Sequence, residues 1–442
     1  MLRQVPIELI RPGFRLPGAL RAQSGAVILP GGVSLTDAQI LHLGLRSPRR
    51  LYGEDDWPVD LLRFPVSEPA PHSTAAAMEP ASQRKTPARS NASLTRRLDR
   101  LLSKELNRLP WVRPVDASDR PKLPRPEFEE EAIRGVDRCS AMAEALAEVF
   151  DGVRARRLAS CHRLRELADE FASLLAVDFD LLPTVASARR ARHGYLIDHS
   201  VNAALLSMAI AGQLGLDRRR VTEIGLGSML KDIGMLRIPK PIRLARRSLT
   251  PDEKALVERH PVHTVNALGR LRELPTTALL IGHQSHERPD RSGYPCRRSG
   301  AFIHPYARIA SIADAYTAMT HPRPYRDAVL PHEAVKRILI EGGLGKYDLN
   351  MLRAFLDSVS LFPIGSWVEL NDGTTAKVVR ANPGSHTRPV VAAYDAAGRP
   401  TGELVDLTME VCRRILRCTL PVRPSCDDTP VTSGPTKPHS AP

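Results

Sequence analysis

Several absences narrow the reading before any motif is considered. Six cysteines are present (Cys139, Cys161, Cys296, Cys412, Cys418, Cys426), and none falls in a Cys-x-x-Cys pair. Neither a zinc knuckle nor a disulfide framework is expected, and reduced cytoplasmic thiols are the simplest state. No apolar run approaches the roughly eighteen residues needed to cross a bilayer. The segment Met1–Ile10 lacks the apolar core of a secretion signal. A cytoplasmic protein without a membrane span is therefore expected. There is no internal repeat, and no recognisable receiver, PAS or transmembrane sensor.

What remains is 442 residues, room for about three domains at roughly 150 residues each. Apolar residues make up 42% and charged residues 25%, a globular composition. Prolines (38) outnumber glycines (28), which points to extended linker somewhere in the chain. Lys plus Arg (63) exceeds Asp plus Glu (49), for a formal net charge of +14. Such a balance raises nucleic acid, anionic surfaces or phosphate-bearing ligands as partners, depending on where the charge sits.

Residues 1–65 read as a small β-rich module. Its short apolar stretches Ile7–Ile10 and Ala26–Leu29 are punctuated by turn residues at Arg11-Pro12-Gly13 and Pro30-Gly31-Gly32, and a short helix is expected over Thr36–Leu45. Residues 66–126 form a Pro/Ser/Arg-rich linker with one amphipathic stretch, Leu94–Leu109. Between Arg84 and Arg125 twelve basic and four acidic residues leave a net of +8, more than half of the whole excess. With a single aromatic there, Trp111, specific nucleic-acid binding is not expected, and a solvated linker is the simpler account.

From 127 to 361 apolar residues recur at helical spacing, as at Leu205, Met208, Ala209 and Leu214, which are expected in the core. Thr250-Pro251-Asp252-Glu253 marks a helix start with a capping box. The pattern turns to strands over 362–418, at Trp367–Leu370, Lys377–Val379 and Pro389–Ala393, with Asn371-Asp372-Gly373 as a hairpin turn. Residues 419–442 read as a disordered tail. The expected class is mainly α, a helical bundle with small β-rich modules at its N- and C-terminal sides.

Nine of the fourteen histidines lie between His193 and His332, inside the helical region. Imidazoles and carboxylates on helices can converge on a metal, although any one histidine is more often a packing residue. His263, His304 and His332 are assigned to packing or surface. The local strings carry more weight: His199-Ser200, expected to open a helix; Leu230-Lys231-Asp232-Ile233-Gly234-Met235 with Ile238-Pro239; His260-Pro261; His286-Glu287-Arg288-Pro289-Asp290-Arg291-Ser292-Gly293-Tyr294-Pro295; Ile312-Ala313-Asp314-Ala315-Tyr316; and Arg323-Pro324-Tyr325-Arg326.

In this order and spacing the strings resemble the HD-GYP family, a branch of the HD-domain metal-dependent phosphohydrolases, from about Arg192 to Phe355. The flanking modules resemble, more weakly, those that accompany such domains. The resemblance implies a helical HD-type bundle that hydrolyses cyclic di-GMP at a two- or three-metal centre. It makes Asp232 the bridging ligand, with His199 and Asp314 completing one divalent transition-metal shell (Fe or Mn) and His260 and His286 the other. It makes Arg323 and Arg326 phosphate contacts, with Tyr294 in the loop that names the family. The chemistry suits the residue types. In-line attack on a phosphodiester needs a hydroxide at neutral pH and charge stabilisation on both oxygens, which paired metals supply. Guanidinium is suited to bidentate phosphate recognition.

The departures from the pattern fall at its centre. The family's His-Asp pair is Lys231-Asp232, the following Lys is Met235, the His-His pair is Ser285-His286, and Asp-Gly is Asp290-Arg291. Tyr195 stands one turn before His199, where three-metal members carry a carboxylate. An ammonium cannot ligate a metal without losing its proton. Lys231 is therefore expected to pair with Asp232 or Asp314 and to take the place of one cation. His283, three residues before His286, could replace the missing ligand and leave a one-metal site, or could simply pack. Glu287-Arg288 could be a structural ion pair or a catalytic one, and Arg291 places a side chain where left-handed angles are costly.

Two functions follow from the resemblance. One is a signalling protein with impaired hydrolysis that binds cyclic di-GMP or a related phosphodiester, or regulates a partner protein. The other is an active phosphodiesterase with a rearranged site of one or two ions.

Overall fold

Helix α4, at the centre of the bundle, is enclosed on every face. From Ile197 to Gln213 every residue is buried, as a helix surrounded by other helices requires. The computed structural model of the protein describes residues 3–5, 20–21, 27–29, 51–53, 127–157, 160–189, 192–271, 273–322 and 327–419. The expected linker, the helix over Thr36–Leu45, the amphipathic Leu94–Leu109, the tail beyond residue 419 and the Arg323/Arg326 pair lie outside the described residues.

Twelve helices follow one another among the described residues: α1 (Glu127–Arg154), α2 (His162–Leu174), α3 (Leu181–Ala188), α4 (Tyr195–Gln213), α5 (Arg218–Leu230), α6 (Lys240–Arg243), α7 (Pro251–Val257), α8 (His260–Leu268), α9 (Thr276–Gln284), α10 (Pro305–Thr320), α11 (Pro331–Gly343) and α12 (Leu349–Val359). A 3-10 turn, Ile233–Arg237, follows α5. The fold is mainly α. Helices α1, α3, α5, α10 and α12 pack around α4, and Leu205, Met208 and Ala209 are fully buried among them. The capping box at α7 is present: the Thr250 hydroxyl accepts from Glu253 N, and the Glu253 carboxylate accepts from Thr250 N at 2.9 Å. One boundary differs from expectation. Helix α4 opens at Tyr195, not at His199, because Gly194 (φ 85°) breaks the chain there and the Asp198 carboxylate accepts from His193 N. His199 therefore sits on the second turn, inside the bundle.

Four short strands, β1 (Arg3–Val5), β2 (Leu20–Arg21), β3 (Val27–Leu29) and β4 (Leu51–Gly53), form an antiparallel sheet in the order β1-β4-β2-β3. At the other end β5 (Trp367–Leu370), β6 (Thr375–Arg380), β7 (Val390–Tyr394), β8 (Pro400–Asp406) and β9 (Ile415–Thr419) form a second antiparallel sheet, ordered β8-β7-β6-β5-β9. Strands β8 and β9 have no strong apolar alternation, and the sequence reading did not find them. Strand β6 alternates cleanly, sending Ala376, Val378 and Arg380 inward. Arg380 reaches the loop between α2 and α3, where its guanidinium forks onto Asp178 at 2.9 and 3.0 Å, both side chains 3% exposed. A buried bidentate pair thus joins sheet to bundle.

Among the described residues, no helix is long and apolar enough to cross a membrane.

Candidate metal centre

Five segments converge on one buried pocket. His199 comes from α4, Lys231 and Asp232 from the turn after α5, His260 from the start of α8, His286 from just beyond α9, and Asp314 from the middle of α10. The turn after α5 is fixed by Thr264, whose hydroxyl donates to the Lys231 carbonyl at 2.8 Å and accepts from Gly234 N at 3.0 Å. Gly234 has no alternative. A Cβ there would lie 2.1 Å from the His260 carbonyl oxygen and 2.4 Å from Thr264 N.

Lys231 is fully buried. Its Nζ donates to Asp232 Oδ2 and, at 2.6 Å, to Asp314 Oδ1. Asp314 Oδ1 also lies 2.8 Å from His199 Nε2, and since a carboxylate can only accept, that nitrogen carries its hydrogen. Burial alone would lower the lysine, but the two carboxylates outweigh it and its pKa is raised. Burial would likewise raise both aspartates. For Asp232 the Lys231 charge prevails; for Asp314 the Lys231 charge and the His199 hydrogen bond do. Both carboxyls are held well below the usual range. The pocket is a cation held by two carboxylates, with His199 as a third neighbour.

The other oxygen of Asp232 faces a different group. Oδ1 stands 3.4 Å from His260 Nε2 and 3.5 Å from His286 Nε2, and neither buried nitrogen has a hydrogen-bond partner. His260 Nδ1 lies 2.8 Å from the Val257 carbonyl, which can only accept, so Nδ1 carries a hydrogen and Nε2 is the nitrogen turned toward the pocket and available to a metal. Burial lowers His286 to about 4, so its imidazole is neutral at pH 7. A metal bound at about 2.1 Å keeps neighbouring ligand atoms roughly 3.0–3.5 Å apart, and the observed separations fall in that range. Two triads therefore share Asp232: Asp232, His260 and His286, and His199, Asp232 and Asp314. The first fits a divalent ion on its donor set. The second has an ammonium hydrogen-bonded to both of its carboxylates.

His283 belongs to neither triad. It is buried, with its pKa lowered to about 4 by burial and the Arg298 charge. Ser285 is fully buried and its hydroxyl lacks a partner. His304 caps α10, accepting from Tyr306 N at 3.2 Å, and His332 Nδ1 lies 2.8 Å from the Leu361 carbonyl, as befits packing residues.

The loop after His286 forms a wall of the pocket. Tyr294 stacks on His286 (centroids 4.9 Å apart, planes at 10°), and burial raises its hydroxyl pKa. Gly293 is required, since a Cβ would lie 2.4 Å from Arg288 N and from the His286 carbonyl oxygen. Glu287 and Arg288 do not pair with each other. The buried Glu287 carboxylate accepts from Cys296 N (2.7 Å) and Arg298 N (2.8 Å) and so closes the loop, whereas Arg288 donates to Ser311 and lies over the Tyr347 ring at 4.9 Å. Arg291 does adopt a left-handed angle, φ 67°. Tyr195 stacks on His199 with centroids 5.6 Å apart.

Sequence reasoning missed two supports. Arg189 pairs with Asp198 at 2.5 Å, both 4% exposed, and holds the start of α4. Asn202 Nδ2 meets His321 Nε2 at 2.6 Å, tying α4 to the end of α10. Neither pair has a local signal, since the partners lie on different elements.

The model of a family described as HD domain matches residues 183–351. A Pseudomonas aeruginosa protein named as a cyclic di-GMP phosphodiesterase is 31% identical over 287 residues, covering 65% of this chain and 68% of its own length. A Vibrio cholerae protein named as a 3'3'-cGAMP-specific phosphodiesterase is 30% identical over 164 residues, covering 37% of this chain and 38% of its own. Among solved structures, an HDG"Y"P protein from Bdellovibrio bacteriovorus aligns at 16% identity with a TM-score of 0.43, covering 81% of this chain and 99% of that one.

Proposed function

The chain belongs to the HD-GYP branch of the HD-domain family, and from that premise we propose that it is a signalling protein that binds cyclic di-GMP or a related cyclic dinucleotide with its hydrolytic step impaired. The observation that carries the reading is the pairing, in one pocket, of an intact Asp232–His260–His286 donor set with a lysine salt-bridged into the other triad. A divalent transition metal, Fe or Mn, would be held by Asp232 Oδ1, His260 Nε2 and His286 Nε2, and would supply Lewis acidity toward a phosphoryl oxygen and an activated water. Lys231 holds Asp232 and Asp314 ionised. Tyr294, packed on His286, shapes the wall against which a nucleotide would lie, and Arg323 and Arg326 are assigned to its phosphates.

Impairment follows from the balance of charge. Where the family pattern has the histidine of its His-Asp pair, the lysine after Asp-Ile-Gly and the first of two adjacent histidines, this chain has Lys231, Met235 and Ser285. Loss of even one transition-state donor typically lowers a rate about a hundredfold or more. Recognition depends on other residues, so binding outlasts turnover. The intact triad is the feature that favours the second reading, an active phosphodiesterase working with a rearranged site. A signalling protein is a further candidate partner, since binding without turnover suits regulation.

The test is direct. Purified protein supplied with Mn²⁺ or Fe²⁺ is titrated with cyclic di-GMP and 3'3'-cGAMP, and linear product is followed. Binding with turnover raised by at least about a hundredfold in a Lys231→His, Met235→Lys, Ser285→His variant is expected. Rapid turnover by the native chain, unchanged by that restoration, would establish the second reading. Absence of binding to either dinucleotide would overturn both.

A further inference from the structure

We infer that this pocket is a mixed centre for a single ion: the Lys231 ammonium permanently takes one of two cation positions, and a divalent metal binds only at Asp232 Oδ1, His260 Nε2 and His286 Nε2. The inference deepens the proposed function by fixing the number and place of the ions, and it rests on that reading for their purpose.

Three observations converge on it. The first is how Asp232 divides its oxygens. Oδ2 accepts from Lys231, while Oδ1 faces His260 and His286 at 3.4 and 3.5 Å. One carboxylate thus bridges two cation positions without either blocking the other.

The second concerns hydrogens. A ligand must offer a lone pair. His260 Nε2 can, because the Nδ1 hydrogen goes to the Val257 carbonyl and leaves Nε2 turned toward the pocket, and His286 Nε2 is a second buried nitrogen without a partner. His199 Nε2 does not, because it is committed as a donor to Asp314 Oδ1, and that oxygen already accepts from Lys231. His199 Nδ1 has no hydrogen-bond partner among the described residues, but the atoms that face this position, His199 Nε2, Asp232 Oδ2 and Asp314 Oδ1, are engaged with one another or with an ammonium that is fully enclosed.

The third is space. The Lys231 Nζ lies between Asp232 Oδ2 and Asp314 Oδ1, in contact with both, where a second ion would have to sit. The side chain is enclosed on every side and has no room to withdraw. The donor set therefore fits one metal and disagrees with two.

The experiment counts ions and does not depend on turnover. The full chain is stripped with chelator, loaded with excess Mn²⁺ under anaerobic conditions, freed of loose metal by gel filtration, and assayed by mass spectrometry for metal per chain. Cyclic di-GMP binding is measured on the same samples. One ion per chain is expected in the native protein, none in His260→Ala, and two in Lys231→His. Circular dichroism and a melting curve confirm that each variant is folded. A native count of two, a native count of zero at saturating Mn²⁺, or an ion retained by His260→Ala overturns the inference, as does a folded Lys231→His chain that still holds one. The native count needs no variant, so the test survives if Lys231→His fails to fold. If the native chain binds one ion but no cyclic dinucleotide, the proposed function fails and the mixed centre stands. Two ions with tight dinucleotide binding is the converse.

Discussion

Replacing Lys231 with methionine keeps most of the side-chain volume and removes the charge, so the stability change isolates what the ammonium does. At 2.6 Å and an effective dielectric of about 20, a single Lys–Asp contact has a gross attraction of about 6 kcal/mol, much of it offset by the desolvation of the three charges. The mutation loses more than the net worth of the pair, because Asp232 and Asp314 stay buried with no cation. Removing one partner of a buried ion pair costs about 3–5 kcal/mol. For a cooperative unit the size of this bundle, at roughly 2–4 °C per kcal/mol, the melting temperature should fall by about 6–20 °C at pH 7 in chelator.

The sign of the pH dependence should change as well. In the native chain both carboxyls are held below their usual range, so their contribution is present above the unfolded aspartate pKa, about 3.9, and lost only as pH falls through the lower folded values. Between pH 7 and 5 it is constant. In Lys231→Met burial is no longer opposed by the ammonium, which pushes both carboxyls upward. The folded state then binds more protons than the unfolded, and stability rises as pH falls through the raised values. Thermal melts of the two proteins from pH 7.5 to 5, in chelator, should therefore converge on acidification, and Mn²⁺ should restore part of the loss at pH 7. Parallel curves, or melting temperatures within a degree of each other at pH 7, would refute the charge argument.

Other outcomes follow from the packing. Gly234→Ala puts a Cβ against backbone atoms of α8 and should cost about 3 kcal/mol or more in urea unfolding. Arg291→Gly relieves a left-handed angle in an exposed loop and should stabilise the chain by about 0.5–1 kcal/mol, seen as a small rise in melting temperature. Arg380→Met strands Asp178 in the seam between sheet and bundle, takes the guanidinium from Asp180 as well, and should cost about 3–5 kcal/mol; adding Asp178→Leu should recover only part of it, because Asp180 still lacks that ion pair, a coupling a double-mutant cycle would measure.

Much of the pocket was legible because its residues announce themselves locally. Asp232-Ile233-Gly234 needs a glycine where two backbones nearly touch, and His260-Pro261 places a ligand on the first turn of a helix. The pairing of Lys231 with Asp232 or Asp314 could be anticipated from the family resemblance, which brings those carboxylates to one site, together with the charge of an ammonium placed among them. What escaped was set by contacts between distant segments. Glu287 was weighed as a partner of its neighbour Arg288, yet its oxygens serve the backbone of Cys296 and Arg298, nine and eleven residues on. Arg380 lies just past the expected strand Lys377–Val379 and carries no signal of its own; the inward register of β6 places it on Asp178. Strands β8 and β9 bury one face only in part and carry little alternation, so periodicity could not find them.

The exchange at position 231 has a consequence for folding that is separate from catalysis. A pocket with two buried carboxylates needs positive charge to be stable. Where metals alone supply it, folding is coupled to metal binding, and chelation weakens the folded state. Lys231 carries that charge on the chain itself and hydrogen-bonds both carboxylates without the help of any ion. The remaining triad holds one carboxylate oxygen and two imidazole nitrogens, and its carboxylate keeps Lys231 as a partner when the metal is stripped. Chelator should therefore shift the melting temperature of the native chain far less than that of Lys231→His, in which an unprotonated imidazole leaves both aspartates dependent on metal. A native chain that loses as much stability to chelator as Lys231→His would show that the ammonium does not replace an ion. A small native shift with a large one in the variant would show that the lysine has separated the stability of this fold from its metal.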